Sequence, residues 1–185
     1  MKNENIPYVN LSKQWGKERK NLLKIIDKVI SNQDWVGGGE VEKFEQNILK
    51  FTNTKYAVAL NSGTDALTIG LALIGVRKND EVITTPNSFI ASAASIVHIG
   101  AKPIFIDVKS DQNIDTSLIE SKITKKTKAI MPIHLTGRMS DMDQIIKLSK
   151  KYSIPIIEDA AQAIGSKYKN MPAGSFGKVG CFSAH

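Results

Sequence analysis

Five places along the chain put hydroxyl, carboxylate or imidazole groups where an apolar run stops. Asn61-Ser62-Gly63-Thr64-Asp65-Ala66-Leu67 follows the apolar run Tyr56–Leu60 and opens a helical pattern over Thr64–Ile74. A helix N-terminus offers unpaired N–H groups and partial positive charge. Gly63 lets a ligand approach the backbone, and Ser62 and Thr64 add hydroxyls, so this turn reads as a phosphate cradle. The same residue types also make an ordinary helix cap. Glu158-Asp159-Ala160-Ala161-Gln162-Ala163 follows Ile154–Ile157. A buried carboxylate at Asp159 needs a cationic or strongly donating partner. A pyridinium N–H would be one, with Gln162 in reach of the same ligand; a cap on the local turn is the other reading. Pro86-Asn87-Ser88-Phe89 follows Glu81–Thr85, and Phe89 is either a core residue or a flat ring for an aromatic cofactor. Ser183 adds a hydroxyl after Val179–Phe182. His134 ends Lys128–Ile133, as a structural hydrogen-bonding group or as a catalyst.

Other chemistries are absent from the sequence. No G-x-G-x-x-G follows a strand, and no H-E-x-x-H or G-x-S-x-G is present. Gly174-Ser175-Phe176-Gly177-Lys178-Val179 has the wrong spacing for a P-loop, and Val179 stands where Ser or Thr is required. No Cys/His cluster has zinc spacing, so no metal site is expected. The single cysteine, Cys181, excludes a disulfide scaffold.

The elements that position these groups follow from periodicity. Helical spacing marks Trp15–Ile30, Val41–Phe51, Thr64–Ile74, Phe89–Ile99, Thr116–Ile123 and Asp141–Tyr152. Strands are expected at Tyr56–Leu60, Glu81–Thr85, Lys102–Val108, Lys128–Ile133, Ile154–Glu158 and Val179–Ser183. Alternating strands and helices predict an α/β three-layer sandwich around a mainly parallel sheet. Near-continuous apolar strands fit burial on both faces. The texture changes after residue 52, predicting a helical segment over 1–52 and a ligand-binding domain over 53–185. With 185 residues, 42% of them hydrophobic, the chain is long enough for a core. The net charge of +7, from 25 Lys+Arg against 18 Asp+Glu, is spread along the chain. It suits solvated helix faces or attraction of anionic ligands rather than nucleic acid, given 6% aromatics that do not interleave with the basic groups. Met1–Ile6 is polar, and no apolar run approaches the roughly 20 residues of a membrane span. A cytoplasmic protein without membrane contact is expected.

In their order along the chain, the Asn61–Leu67 block, Pro86–Phe89, His134-Leu135-Thr136-Gly137, the Glu158–Ala163 block and Cys181-Phe182-Ser183 resemble the DegT/StrS family of sugar aminotransferases. The resemblance runs from about Ile6 to His185. It implies the aspartate-aminotransferase-type (fold type I) large domain and pyridoxal 5'-phosphate as cofactor. It implies that Gly63, Thr64 and Ser183 hold the cofactor phosphate. Phe89 stacks on the ring, Asp159 pairs with the ring nitrogen, and Gln162 contacts the region of the ring's 3-oxygen. It further implies a homodimer and amine transfer from an amino acid, typically glutamate, to a keto group of a nucleotide-linked deoxysugar, as in deoxysugar and polysaccharide biosynthesis.

One departure stands out. The family's Schiff-base lysine lies five residues after this serine, which falls three positions past His185. No lysine in the sequence matches it, Lys178 preceding the strand. The chain as given, without that lysine and without the smaller C-terminal domain, is therefore expected to be inactive alone. Two other readings stay open: a sugar 3-dehydratase relative with histidine in place of the lysine, and a non-catalytic relative with a sensory or structural role.

Overall fold

A computed structural model describes residues 7–33 and 35–184 of the chain. The polar start Met1–Ile6 and the terminal His185 lie outside the described residues. The chain forms two compact units, residues 1–46 and 47–185. In the first, α1 (Leu11–Ser31) begins at Asn10, whose side chain accepts from Lys13 N at 3.0 Å and so satisfies one end-of-helix donor. Next comes α2 (Gly39–Thr52), which runs on into the second unit.

The second unit is built on parallel strands. In chain order its elements are α3 (Gly63–Leu73), β1 (Glu81–Thr84), α4 (Ile90–His98), β2 (Lys102–Phe105) and α5 (Thr116–Ile119). They continue with a 3-10 turn (Glu120–Lys122), β3 (Thr127–Ile130), α6 (Met142–Tyr152) and β4 (Ile157–Asp159). A small antiparallel hairpin follows, β5 (Lys167–Tyr168) with β6 (Met171–Pro172), and then β7 (Val179–Cys181). The strands run β2-β1-β3 in one parallel set, and β4 pairs β7 in another. Parallel bridges from Ile130 to Ile156 and from Ile133 to Asp159 join the two sets edge to edge.

Successive strand residues point to opposite faces, and the core divides accordingly. Val82, Ala129, Met131 and Ile157 pack with Leu67 and Leu71 of α3 and Ile96 of α4. Ile83, Ile130 and Ile156 pack on the other face with Ile119 of α5 and Met142, Ile145 and Leu148 of α6. The result is the three-layer α/β sandwich that the periodicity predicts. Among the described residues no helix is long and apolar enough to cross a membrane.

One expectation changes. Tyr56–Leu60 forms no strand among the described residues, and Tyr56 and Val58 are largely exposed. Apolar composition signals an extended segment but cannot supply the pairing partner a strand needs. The helix after β1 is buried on one side only, with Ile90 and Val97 exposed.

The approach to β7 is tight. A Cβ on Gly180 would overlap Gly174 Cα and lie 2.5 Å from the Gly174 carbonyl oxygen. Backbone leaves no side chain to swing away, so Gly180→Ala is expected to destabilise the fold by about 2 kcal/mol or more in a urea titration. An unchanged midpoint would show that this packing is not tight.

Candidate functional site

Ligands in parallel α/β sheets gather at the carboxyl ends of the strands. At that edge β1 leads into residues 85–89, β3 into His134, β4 ends on Asp159, and β7 leads to Ser183. Specific contacts decide which of these groups meet. A Cβ on Gly63 would lie 2.9 Å from Ser183 Cβ and 3.2 Å from its Oγ, so the first turn of α3 and the segment after β7 touch, and only glycine fits between them. Asp159 stands opposite Cys181 in the β4–β7 register, and Ala160 N donates to Cys181 O at 2.8 Å. One inter-strand step and two residues of extended chain therefore separate Asp159 from Ser183, a distance on the order of 10 Å.

Asp159 is buried and holds two donors. Ser92 Oγ, on α4, donates to Oδ2 at 2.6 Å, and Ala161 N donates to Oδ1 at 3.2 Å. The turn-cap role is thus present but takes only one oxygen. Ser62 is the N-cap of α3, its Oγ accepting from Asp65 N at 3.1 Å. The earliest amides of that turn, Gly63 and Thr64 among them, have no intrahelical acceptor. Thr64 and Ser183 are half-buried. Phe89 is 71% exposed, so it is not a core residue; it stands as the N-cap position of α4 with its ring in the open. Gln162 is exposed, and its Oε1 accepts from Thr136 N at 2.7 Å, which leaves the NH2 end as its donor. Thr136 itself sits at φ 54°, ψ 24°, a costly conformation for a β-branched residue. The Gly137 carbonyl next to it accepts from Ser166 Oγ at 2.7 Å. Lys178 lies at the opposite, amino end of β7, its N–H on Ile156 O at 2.8 Å.

His134 is fully buried and bonded through both ring nitrogens. Ser140 N donates to Nδ1 at 3.2 Å, so the ring proton is on Nε2 and points at Glu158 Oε2, 3.1 Å away. Glu158 also accepts from Gly174 N at 2.8 Å, Phe176 N at 2.7 Å and Gly177 N at 2.8 Å. The glycine-rich loop therefore does close around an anion, but the anion is the protein's own carboxylate. Because neighbours on a strand face opposite ways, Glu158 serves this knot while Asp159 faces α4. Neither the knot nor Ser92 is singled out by the sequence patterns. The available signal was Ser92 and Ser95 in a mostly apolar helical stretch, with Ser88 just before it.

A family model described as the DegT/DnrJ/EryC1/StrS aminotransferase family matches residues 17–185. The chain belongs to this family. Among curated relatives, a "pleiotropic regulatory protein" of Geobacillus stearothermophilus is 39% identical over 180 residues, 97% of this chain and 48% of the relative. A UDP-2-acetamido-2-deoxy-3-oxo-D-glucuronate aminotransferase of Pseudomonas aeruginosa is 36% identical over 179 residues, 96% of this chain and 50% of the relative. Among solved structures, DesV of S. venezuelae superposes with a TM-score of 0.88 at 33% identity, covering 92% of this chain and 46% of DesV. NtdA of Bacillus subtilis, with bound cofactor PMP, gives 0.86 at 34% identity over 94% of this chain and 41% of NtdA. The chain spans about half the length of the curated relatives it matches.

Beside this candidate site, burial, then the negative charges of Asp159 and Glu158, push the Cys181 thiol up from 9.0 to about 12. The folded state keeps a proton that the unfolded chain releases, so this group's stabilisation falls as pH rises from about 9 to about 12. Native protein is expected to resist iodoacetamide at about pH 8 and to react only when unfolded. Alkylation of the native protein at the unfolded rate would contradict this.

Proposed function

We propose that residues 53–185 are the cofactor-binding part of a pyridoxal-phosphate-dependent aminotransferase, with residues 1–52 a helical segment before it. In this reading the full-length protein moves an amino group from an amino acid, glutamate, to a keto group of a nucleotide-linked deoxysugar. It works as a homodimer in the cytoplasm. Support comes from the family and from relatives named as nucleotide-sugar aminotransferases, such as the Pseudomonas enzyme and a GDP-perosamine synthase of Escherichia coli O157:H7 at 39% identity. The net positive charge suits a nucleoside-diphosphate substrate.

The observation that carries the reading is the pairing of two unlike groups on one edge. A donor-rich turn closed by a glycine–serine contact lies one strand from a buried carboxylate. The donor set fits pyridoxal phosphate. The amides of Gly63 and Thr64 and the hydroxyls of Thr64 and Ser183 would take the phosphate. Asp159 would hold a proton on the ring nitrogen, Phe89 would cover one ring face, and the Gln162 NH2 would donate toward the ring's oxygen substituent. The chemistry supplied by the bound cofactor is an electron sink for the carbanion left when the amine's α-proton departs. Asp159 would serve it by keeping negative charge beside the ring nitrogen. Ser183 and α3 would hold the phosphate end, and Gln162, whose Oε1 accepts from Thr136 N, would donate to the ring's oxygen substituent.

In the full-length protein, Asp159→Asn is expected to weaken pyridoxamine phosphate binding by about ten- to a hundredfold, the worth of one charge-assisted hydrogen bond. The melting temperature should stay within a few degrees. Unchanged affinity in calorimetry would contradict the assignment. The residues through His185 taken alone are expected to show no glutamate-dependent turnover, because the resemblance puts the proton-moving lysine past them. Turnover traced to a lysine of this chain would overturn that.

A further inference from the structure

We propose that Ser92, backed by Ser88, is a positioning residue that fixes the Asp159 carboxylate toward the cofactor's ring nitrogen. The inference rests on the reading that Asp159 faces that nitrogen. Ser92 is 2% exposed, on the side of α4 turned to the sheet, where the neighbouring helical position Ile96 is core. A hydroxyl so buried must be bonded, and its acceptor is Asp159 Oδ2 at 2.6 Å, in the range of a charge-assisted O–H···O bond. Ser92 has one proton and spends it there. In the 2.7 Å bond between Ser88 Oγ and Ser92 Oγ, Ser88 is therefore the donor. A relay of two hydroxyls thus runs from the loop that carries Phe89 to the carboxylate. Ser95 takes no part, since its Oγ donates to Ser92 O within the helix.

With Ala161 N on Oδ1 and Ser92 on Oδ2, the carboxylate is held by donors from two separate elements. Its plane is set before any ligand arrives. The carboxylate so oriented is what would keep a proton on the ring nitrogen. Ser92 touches neither cofactor nor substrate in this scheme; it acts through Asp159.

The test uses full-length protein and pyridoxamine phosphate labelled with 15N in the ring. The ring-nitrogen resonance reports protonation, and calorimetry gives the affinity. In Ser92→Ala the resonance is expected to move toward that of the deprotonated ring and to titrate at lower pH, with affinity about tenfold weaker. Ser92→Thr, which keeps the hydroxyl, should restore both, and Ser88→Ala should shift both in the same direction by less. A folded Ser92→Ala with unmoved resonance and affinity overturns the proposal, provided Asp159→Asn moves them. If Asp159→Asn moves neither, the placement of Asp159 and the role of Ser92 fall together. Should Ser92→Ala not fold, Ser88→Ala carries the test, and an unmoved resonance there overturns the proposal.

Discussion

A carboxylate buried without donors is destabilising by several kcal/mol, and the arrangement around Glu158 answers that constraint with four donors. One is the His134 ring beyond β3, and three are backbone amides of the 174–177 loop. That single group ties the end of β3, the end of β4 and the lead-in to β7 into one unit. Asp159 is the next residue on the strand and faces the other way. Ser183 lies on the chain that the same loop delivers. Both ends of the candidate site therefore inherit their positions from a knot that takes no part in the proposed chemistry.

The second constraint is steric. Gly63 admits Ser183 to the first turn of α3, and Gly70 lower on the same helix lets it settle on Ile157, Val179 and Cys181. The helix whose N-terminus would meet a phosphate is thereby pressed against the two strands that end at Asp159 and Cys181. The strained Thr136 turn, held by Gln162 and Ser166, completes the rim. Local strain of this kind persists only where surrounding bonds over-determine it, which here they do.

Much of this was legible in the sequence. Glu81–Thr85 lies within a residue of β1, and Ile154–Glu158 overlaps β4 although it starts three residues early, because burial on both faces leaves an apolar signature that needs no tertiary information. The grouping of Gly63, Asp159 and Ser183 on one edge follows from their places just past such runs. What could not be read depends on pairing across the fold. Tyr56–Leu60 has strand-like composition but no ladder. Phe89 has core-like chemistry but an exposed ring. The partners of Glu158 lie sixteen to nineteen residues along the chain, or across the sheet at His134, and hydroxyls such as Ser92 carry no pattern that says which carboxylate they will meet.

The central claim is that one small molecule bridges the α3 turn and Asp159. A crystal structure of the full-length protein soaked with pyridoxamine phosphate tests it most directly. The account expects phosphate density against Gly63, Thr64 and Ser183, with the ring nitrogen within hydrogen-bond distance of an Asp159 oxygen. Density with the phosphate elsewhere, or with the ring turned away from Asp159, would contradict it.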